Sequence, residues 1–401
     1  MSGLTTVFRR RISPTEWMYF PMRDMAPPFL MQLAFQGEGS LDPDELRRAV
    51  AIAAEACPGA RLVRDGDEWV DSGIAPAVRV VAGHILNYAR LEEDPVIDSP
   101  IGPSPEATCE VLLLTSDPVT VVFRVFHGVM DGAGVALWAR SVFRVLAGFE
   151  PRAMPDPIAD VELVNMIGVS GKPTVMLPRY SSAVGHGRQD SGLARHLLRH
   201  RTIHATGSSV VARIAVILAE EAGSESRIMI PVDLRRHDLR LRSTANLALP
   251  LFLDVAPGQV WSQINLDKLV GLRENRELNQ MANSRLANIP PVIARALLHA
   301  INWLGARFGR NLASATVSHL GRFDLRELSV PGFTATSVRM LPQHSVAMPL
   351  LFTLAEAGGR TELTVSARNG RGIELRLDAL LDRIATELET ALPQRNAWRV
   401  R

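Results

Sequence analysis

Two hydrophobic periods alternate along the chain. Phe29–Gln36 (FLMQLAFQ) is a dense apolar run of strand length. Val111–Thr115 and Val119–Phe126 are two more, separated by the turn triplet Ser116-Asp117-Pro118. Elsewhere the helical period takes over. Ser13-Pro14-Thr15-Glu16 offers a cap residue, a proline for the first helical position and an acid in the first turn, and predicts a short helix. Asp42-Pro43-Asp44-Glu45 opens a longer one, with Asp42 as cap and Glu45 able to close a capping box. Leu46, Val50, Ala53 and Cys57 recur along it until Pro58-Gly59. Arg61–Val63 and Trp69–Val70 flank Asp65-Gly66 and read as a hairpin. Past Asp131, Val135, Trp138, Val142 and Val145 keep a helical spacing, and Gly148 suits its end.

The second half repeats this style. Pro151, Pro155, Pro157, Pro173 and Pro178 mark residues 151–190 as a crossover. Ser208–Glu221 predicts a helix with Val211, Ile214, Ala215 and Leu218 on one face. Arg227–Val232 and Leu247–Val255 predict strands, and Glu274–Arg307 one or two helices broken near Pro290-Pro291. Leu350–Ala355 and Thr361–Ala367 flank Ala357-Gly358-Gly359 as a hairpin. Leu377, Leu380, Leu381, Ile384 and Leu388 mark a last amphipathic helix. Neither half shows a regular βαβ rhythm, which favours two α+β lobes over a doubly wound parallel sheet. At 401 residues the chain is long for one core. The division expected is a first lobe over 1–165, a crossover over 166–190 and a second lobe over 191–401.

Composition narrows the function classes. A hydrophobic share of 47% with 21% charged residues is that of an ordinary globular protein, and a net charge of +2 gives no global field for nucleic acid. Arg235, Arg236, Arg240 and Arg242 are interrupted by acid and apolar residues, so they read as a solvated or salt-bridged face rather than a phosphate patch. Cys57 and Cys109 are too few for a disulfide framework. With no apolar signal segment and no run of membrane-spanning length, a reducing, cytoplasmic setting is expected.

No phosphate loop, dinucleotide fingerprint or cysteine-rich metal set is present. Gly168-Val169-Ser170-Gly171 misses the nucleophile-elbow pattern by one residue. His196, His200 and His204 lie four apart, as on one helix face. No carboxylate or thiol accompanies them, so the metal expectation is none. His127 is different. It stands at the end of an apolar strand run, four residues before Asp131 and five before Gly132, where a helix begins. A neutral imidazole there can take a proton from an alcohol or amine attacking a carbonyl and return it to the leaving group. Asp131 suits the loop backbone or a cation such as an arginine, and Gly132 a sharp turn. From the residues alone a second reading stands equally: a buried, satisfied histidine beside a helix-capping aspartate.

Phe126-His127-Gly128-Val129-Met130-Asp131-Gly132 matches an HxxxDG motif. It is preceded by Ser13-Pro14-Thr15-Glu16 and Cys57-Pro58-Gly59-Ala60-Arg61. Pro231-Val232-Asp233-Leu234-Arg235-Arg236, Ser243-Thr244-Ala245-Asn246 and Val317-Ser318-His319-Leu320-Gly321-Arg322 follow. In this order, over most of the chain, the set resembles the CoA-dependent acyltransferase superfamily, which includes chloramphenicol acetyltransferase, alcohol acetyltransferases, polyketide-associated acyltransferases and condensation domains. The resemblance implies two chloramphenicol-acetyltransferase-like sandwich lobes in a V with a central channel, His127 as general base, and an Arg61–Asp131 salt bridge with Gly132 beside it. It offers Ser318 or His319 and amides near Gly132 for the oxyanion, and Gly321 and Asn246 as further oxyanion or channel positions. A plain reading stands beside these: strand-end or turn structure.

Phe126 replaces the second histidine usual in condensation domains, His319 an asparagine, and the DFGWG motif is absent. This points to the standalone alcohol or polyketide-type members of secondary metabolism. Implied are no bound cofactor, an acyl-CoA or phosphopantetheinyl carrier-protein thioester as co-substrate, a small-molecule hydroxyl or amine acceptor, an acyl carrier protein as partner, and a monomer. The alternatives are an inactive relative binding a carrier protein or ligand in the same cleft, and a peptide-bond-forming condensation enzyme.

Overall fold

The apolar runs pair into two large sheets, and the helical stretches cover them. The computed structural model describes residues 8–391 except 103, 105, 190–192, 208, 282–290 and 345. In the first half, β1 (Arg9–Arg11), α1 (Pro14–Trp17), α2 (Tyr19–Met25), β2 (Leu30–Gly39) and α3 (Pro43–Ala56) are followed by β3 (Leu62–Asp65), β4 (Glu68–Asp71) and β5 (Ala77–Val81). Then come β6 (Cys109–Leu114), β7 (Val119–Phe126), α4 (Gly132–Leu146) and α5 (Asp160–Ile167). The second half carries β8 (His196–Ile203), α6 (Val210–Ala222), β9 (Ser226–Asp233), β10 (Ala248–Val255), α7 (Trp261–Arg273) and α8 (Pro291–Phe308). It closes with β11 (Ala315–Phe323), β12 (Phe333–Leu341), β13 (Leu350–Ala357), β14 (Arg360–Arg368) and α9 (Ile373–Ala391).

The fold is α+β. One five-stranded sheet has the order β12-β2-β7-β6-β5, one six-stranded sheet the order β10-β9-β11-β13-β14-β8, and a small sheet the order β1-β4-β3. In the first core Phe35, Phe123, Trp138 and Phe143 interlock, with the Phe123 and Trp138 rings edge to face at 5.0 Å. In the second, α6 and α9 bury Ile214, Leu218, Leu377 and Ile384 against Phe352 and Leu354.

Local signals behave as expected. Ser13 and Glu16 form a reciprocal capping box, and Asp42 accepts from the amides of Asp44 and Glu45 at 2.8 and 2.9 Å. The hairpins β3–β4, β6–β7 and β13–β14 pair in antiparallel register.

Three expectations change. First, β12 does not join the sheet of its own half. β12 runs antiparallel along β2 from Phe333↔Gly39 to Leu341↔Gln32, so the second half covers what would be an open edge of the first sheet. Second, His196 and His200 lie on strand β8, not a helix. The strand pairs with β14, and His200 bonds the buried Glu362 carboxylate at 2.7 Å. Third, the proline-rich crossover contains α5, which the prolines mask, and Trp261–Arg273 is helical. Ser208 and the break before Pro291 lie outside the described residues.

Candidate active site

Strand β7 is buried along its whole length, including Arg124, which the Glu110 carboxylate and the Ile97 carbonyl satisfy. A strand so enclosed fixes where its end delivers the next residue. That residue is His127. The chain then turns through 128–130, and Asp131 caps α4 by accepting from the Gly134 amide at 2.7 Å.

The second half closes on this turn. Arg235, in a short 3₁₀ turn after β9, reaches Asp131 with Nη1 at 3.0 Å. The same guanidinium donates to Asp233 at 2.7 Å and to the carbonyls of Ser243 and Ala245 at 2.8 and 2.6 Å. The Leu247 amide donates to Asp131 at 2.7 Å. Asp131 thus caps its own helix and anchors the 243–247 segment to it. Burial works against the Arg235 charge, but the carboxylates of Asp131 and Asp233 outweigh it and hold its pKa raised.

This anchoring places Asn246. Its Nδ2 donates to the His127 carbonyl at 2.8 Å, and its Oδ1 is buried without a hydrogen-bond partner among the described residues. His127 Nδ1 lies 3.2 Å from the Met130 carbonyl, a contact that favours the proton on Nδ1 and the lone pair on Nε2, and 3.4 Å from Asn246 Nδ2, whose amide donates to the His127 carbonyl. Nε2 meets no hydrogen-bond partner among the described residues. The Tyr19 ring, from α2, stacks on the imidazole with centroids 4.3 Å apart and planes 17° apart. Burial lowers the His127 pKa below the ordinary 6.5, outweighing the hydrogen bonds and the Asp131 charge that favour the cation. Burial pushes the Tyr19 hydroxyl, which lies beside Asn246, up to about 12. The imidazole is therefore neutral near pH 7, held in one tautomer and one plane.

The structure brings together His127, Asp131, Gly132 and Asn246 and separates the rest. Arg61 does not meet Asp131. It pairs with Asp71 across the β3–β4 hairpin at 2.5 Å, because the 3₁₀ turn Pro58–Arg61 directs it there. Its segment still touches the site, through Gly59: a Cβ there would lie 2.0 Å from Thr244 Oγ1. Gly132 has no positive φ, and a Cβ on it would make ordinary contacts with Met340 and Leu320 at 3.4 and 3.5 Å. The glycine that packing demands is Gly134, where a Cβ would come 2.2 Å from the Thr244 carbonyl oxygen. Ser318, His319 and Gly321 lie on β11, none of them hydrogen-bonded to His127. His319 bonds Glu356 at 3.1 Å, Gly321 sits at φ +85° in the irregular stretch between His319 and Arg322, and Leu320 is what approaches α4.

Tyr19 and Gly134 carry no signal of these roles in the sequence. Arg235 does, within the Pro231–Arg236 segment, but the sequence reads it as part of a solvated or salt-bridged face and gives the Asp131 pairing to Arg61.

No family model matches the chain, and no curated protein matches it. Solved structures do. The condensation domain of the Monacolin K polyketide synthase MokA is 14% identical, with a TM-score of 0.61 over 96% of this chain and 98% of that one. Polyketide synthase associated protein 5 from Mycobacterium tuberculosis is 14% identical, TM-score 0.61, over 95% and 97%. The starter condensation domain of the rhizomide synthetase RzmA, as a mutant in complex with C8-CoA and Leu-SNAC, is 16% identical, TM-score 0.57, over 96% of each chain. At these identities the likeness is one of fold: over nearly its whole length the chain folds like these condensation domains.

Proposed function

We propose that this chain, built on the condensation-domain fold, is an acyltransferase that moves an acyl group from a CoA or carrier-protein thioester to a hydroxyl or amine. His127 Nε2 accepts the acceptor's proton as its oxygen or nitrogen attacks the thioester carbonyl. The tetrahedral adduct collapses with cleavage of the C–S bond, and the imidazolium returns the proton to the departing thiolate, so the free thiol leaves and His127 is neutral again. The observation that carries this reading is the state of the imidazole: neutral through burial, Nδ1 facing the Met130 carbonyl, Nε2 without a hydrogen-bond partner among the described residues. Asp131 is the positioning residue that joins the two halves around it, through Arg235 and Leu247. The N-terminus of α4, beginning at Gly132, is the nearby positive dipole suited to an oxyanion. The C8-CoA found with the similar RzmA domain makes acyl-CoA the first donor to try.

The test is thiol release from a panel of acyl-CoA donors with alcohol and amine acceptors, comparing the protein with His127→Ala. A general base is worth roughly 10²–10⁴-fold, so turnover should fall by that factor at unchanged melting temperature. Unchanged turnover removes His127 from the chemistry. Thioester or carrier binding with no thiol release from any acceptor replaces the enzyme by a binding protein of the same fold.

A further inference from the structure

Helix α8, Pro291–Phe308, is mounted on the protein by one narrow face and leaves a broad apolar face open. Ala294, Leu298 and Gly305 are buried on that face, and the helix rests on α2. Val292, Ile293, Leu297, Trp303 and Phe308 are each between 47% and 79% exposed. At 3.6 residues per turn these five fall within an arc of roughly 160° on the side away from Ala294 and Leu298. The helix has 18 residues and so presents this face over roughly 27 Å. Scattered exposed apolar residues are ordinary on a protein surface, but a continuous arc of this length is not.

The charges on the helix decide what fits there. Its sequence, PVIARALLHAINWLGARF, contains Arg295 and Arg307 and no aspartate or glutamate. Arg307 rises within the apolar arc with its guanidinium 5.2 Å from the Phe308 ring, and the Trp303 and Phe308 rings meet edge to face at 5.3 Å. Aliphatic side chains, an aromatic pair and an arginine, Arg307, able to extend its head past the apolar stems are the makings of a helix that lies in a lipid headgroup layer. A second copy fits poorly. A second copy of the helix would bring no acid to pair with Arg307.

We propose that α8 is a docking face for an anionic lipid surface, which holds the protein against a membrane or lipid aggregate without spanning it. Docking would also bring that surface to the candidate active site. α8 packs on α2, Arg295 lies 3.9 Å from Asp24 of α2, and α2 carries the Tyr19 ring that stacks on His127. The docking itself does not depend on acyl transfer.

The experiment is flotation of the purified full-length protein with vesicles of phosphatidylglycerol and phosphatidylcholine, and with vesicles of phosphatidylcholine alone. The protein should float with the mixed vesicles, far less with the neutral ones, and less as salt is raised. Leu297→Glu, Trp303→Glu and Arg307→Glu should each lower the partition by on the order of tenfold with the melting temperature unchanged. Leu375→Glu, at a still more exposed leucine on α9, should leave it as it was. The proposal is overturned if the protein floats with neither vesicle, or if the α8 variants float like the parent. It is also overturned if Leu375→Glu matches them, or if the protein ignores vesicles and Leu297→Glu instead dissociates a dimer in sedimentation.

Discussion

Two arginines invite comparison. Arg61 meets Asp71 ten residues away, across one hairpin, with both side chains largely buried. Arg235 meets Asp131 from 104 residues away, and its guanidinium also takes two backbone carbonyls and a second carboxylate. The first pair trims a local turn. The second holds one half of the molecule against the other beside His127. Both are arginine–carboxylate pairs in segments that the sequence motifs single out, and they differ in what would be left behind if they broke.

Removing Arg235 leaves Asp131 buried and charged with no cation. Loss of one partner of such a pair costs about 3–5 kcal/mol. We expect Arg235→Ala to lower the denaturant midpoint severely, and Arg61→Ala to lower it less, because the Arg61 pair joins only the two strands of one hairpin and Asp71 also accepts from the Gly73 amide. Equal losses in chemical denaturation would erase the distinction between the two pairs.

The next test moves the neighbour instead of the charge. A methyl group on Gly134 would strike the Thr244 carbonyl, a backbone atom of the segment that Arg235 holds. Overpacking against backbone costs about 1–3 kcal/mol, and here it would also displace Asn246 from the His127 carbonyl. Gly134→Ala should therefore lose both melting temperature and turnover. Gly132→Ala, with ordinary contacts waiting for its methyl, should keep most of both. A Gly132 variant worse than the Gly134 variant would return the motif glycine to the steric role its place in the sequence suggests.

What the sequence made legible follows the range of the interactions. The Ser13–Glu16 box, the Asp42 cap, the β6–β7 hairpin and the Asp131 cap on α4 all join residues close in the chain, and local patterns encode them. Arg235, Tyr19 and Gly134 owe their roles to partners about a hundred residues away, and nothing in their own neighbourhoods specifies those partners. Strand β12 is the same lesson at the scale of an element. Its apolar alternation can announce a strand but not which sheet takes it, and it joins the one built by the other half. His196 and His200 show the opposite failure. A four-residue spacing places side chains on one face of either a helix or a strand, and pairing with β14 decides for the strand.

The pH dependence of turnover separates the two pairs more finely. Protonated His127 cannot accept a proton, so activity should fall on the acid side and rise to a plateau as the imidazole deprotonates. Burial lowers its pKa, so the acid limb should lie below the ordinary 6.5. Tyr19→Leu removes the stacked ring and opens the imidazole to water, and the limb should move to higher pH. Arg61→Ala should leave the limb in place, since its guanidinium ends on Asp71. A limb that follows Arg61 and ignores Tyr19 would contradict the account of why His127 is neutral.

The smallest effect is expected at His319. If it or Ser318 steadied the oxyanion, removing the donor would cost about 10²–10³-fold in turnover. In the structure the His319 ring is committed to Glu356 at 3.1 Å, and Arg322 holds the other oxygen of the same carboxylate at 3.1 Å. Glu356 is buried, so it still needs a partner when His319 is gone, and Arg322 remains to supply one. His319→Ala should then cost under about 1 kcal/mol of stability and leave turnover within about twofold. Ser318→Ala should behave in the same way, since no hydrogen bond ties its hydroxyl to His127. A hundredfold loss at either position, with the melting temperature kept, would mean that β11 turns toward His127 when substrate is bound. The oxyanion would then be steadied by the second half of the chain rather than by the start of α4.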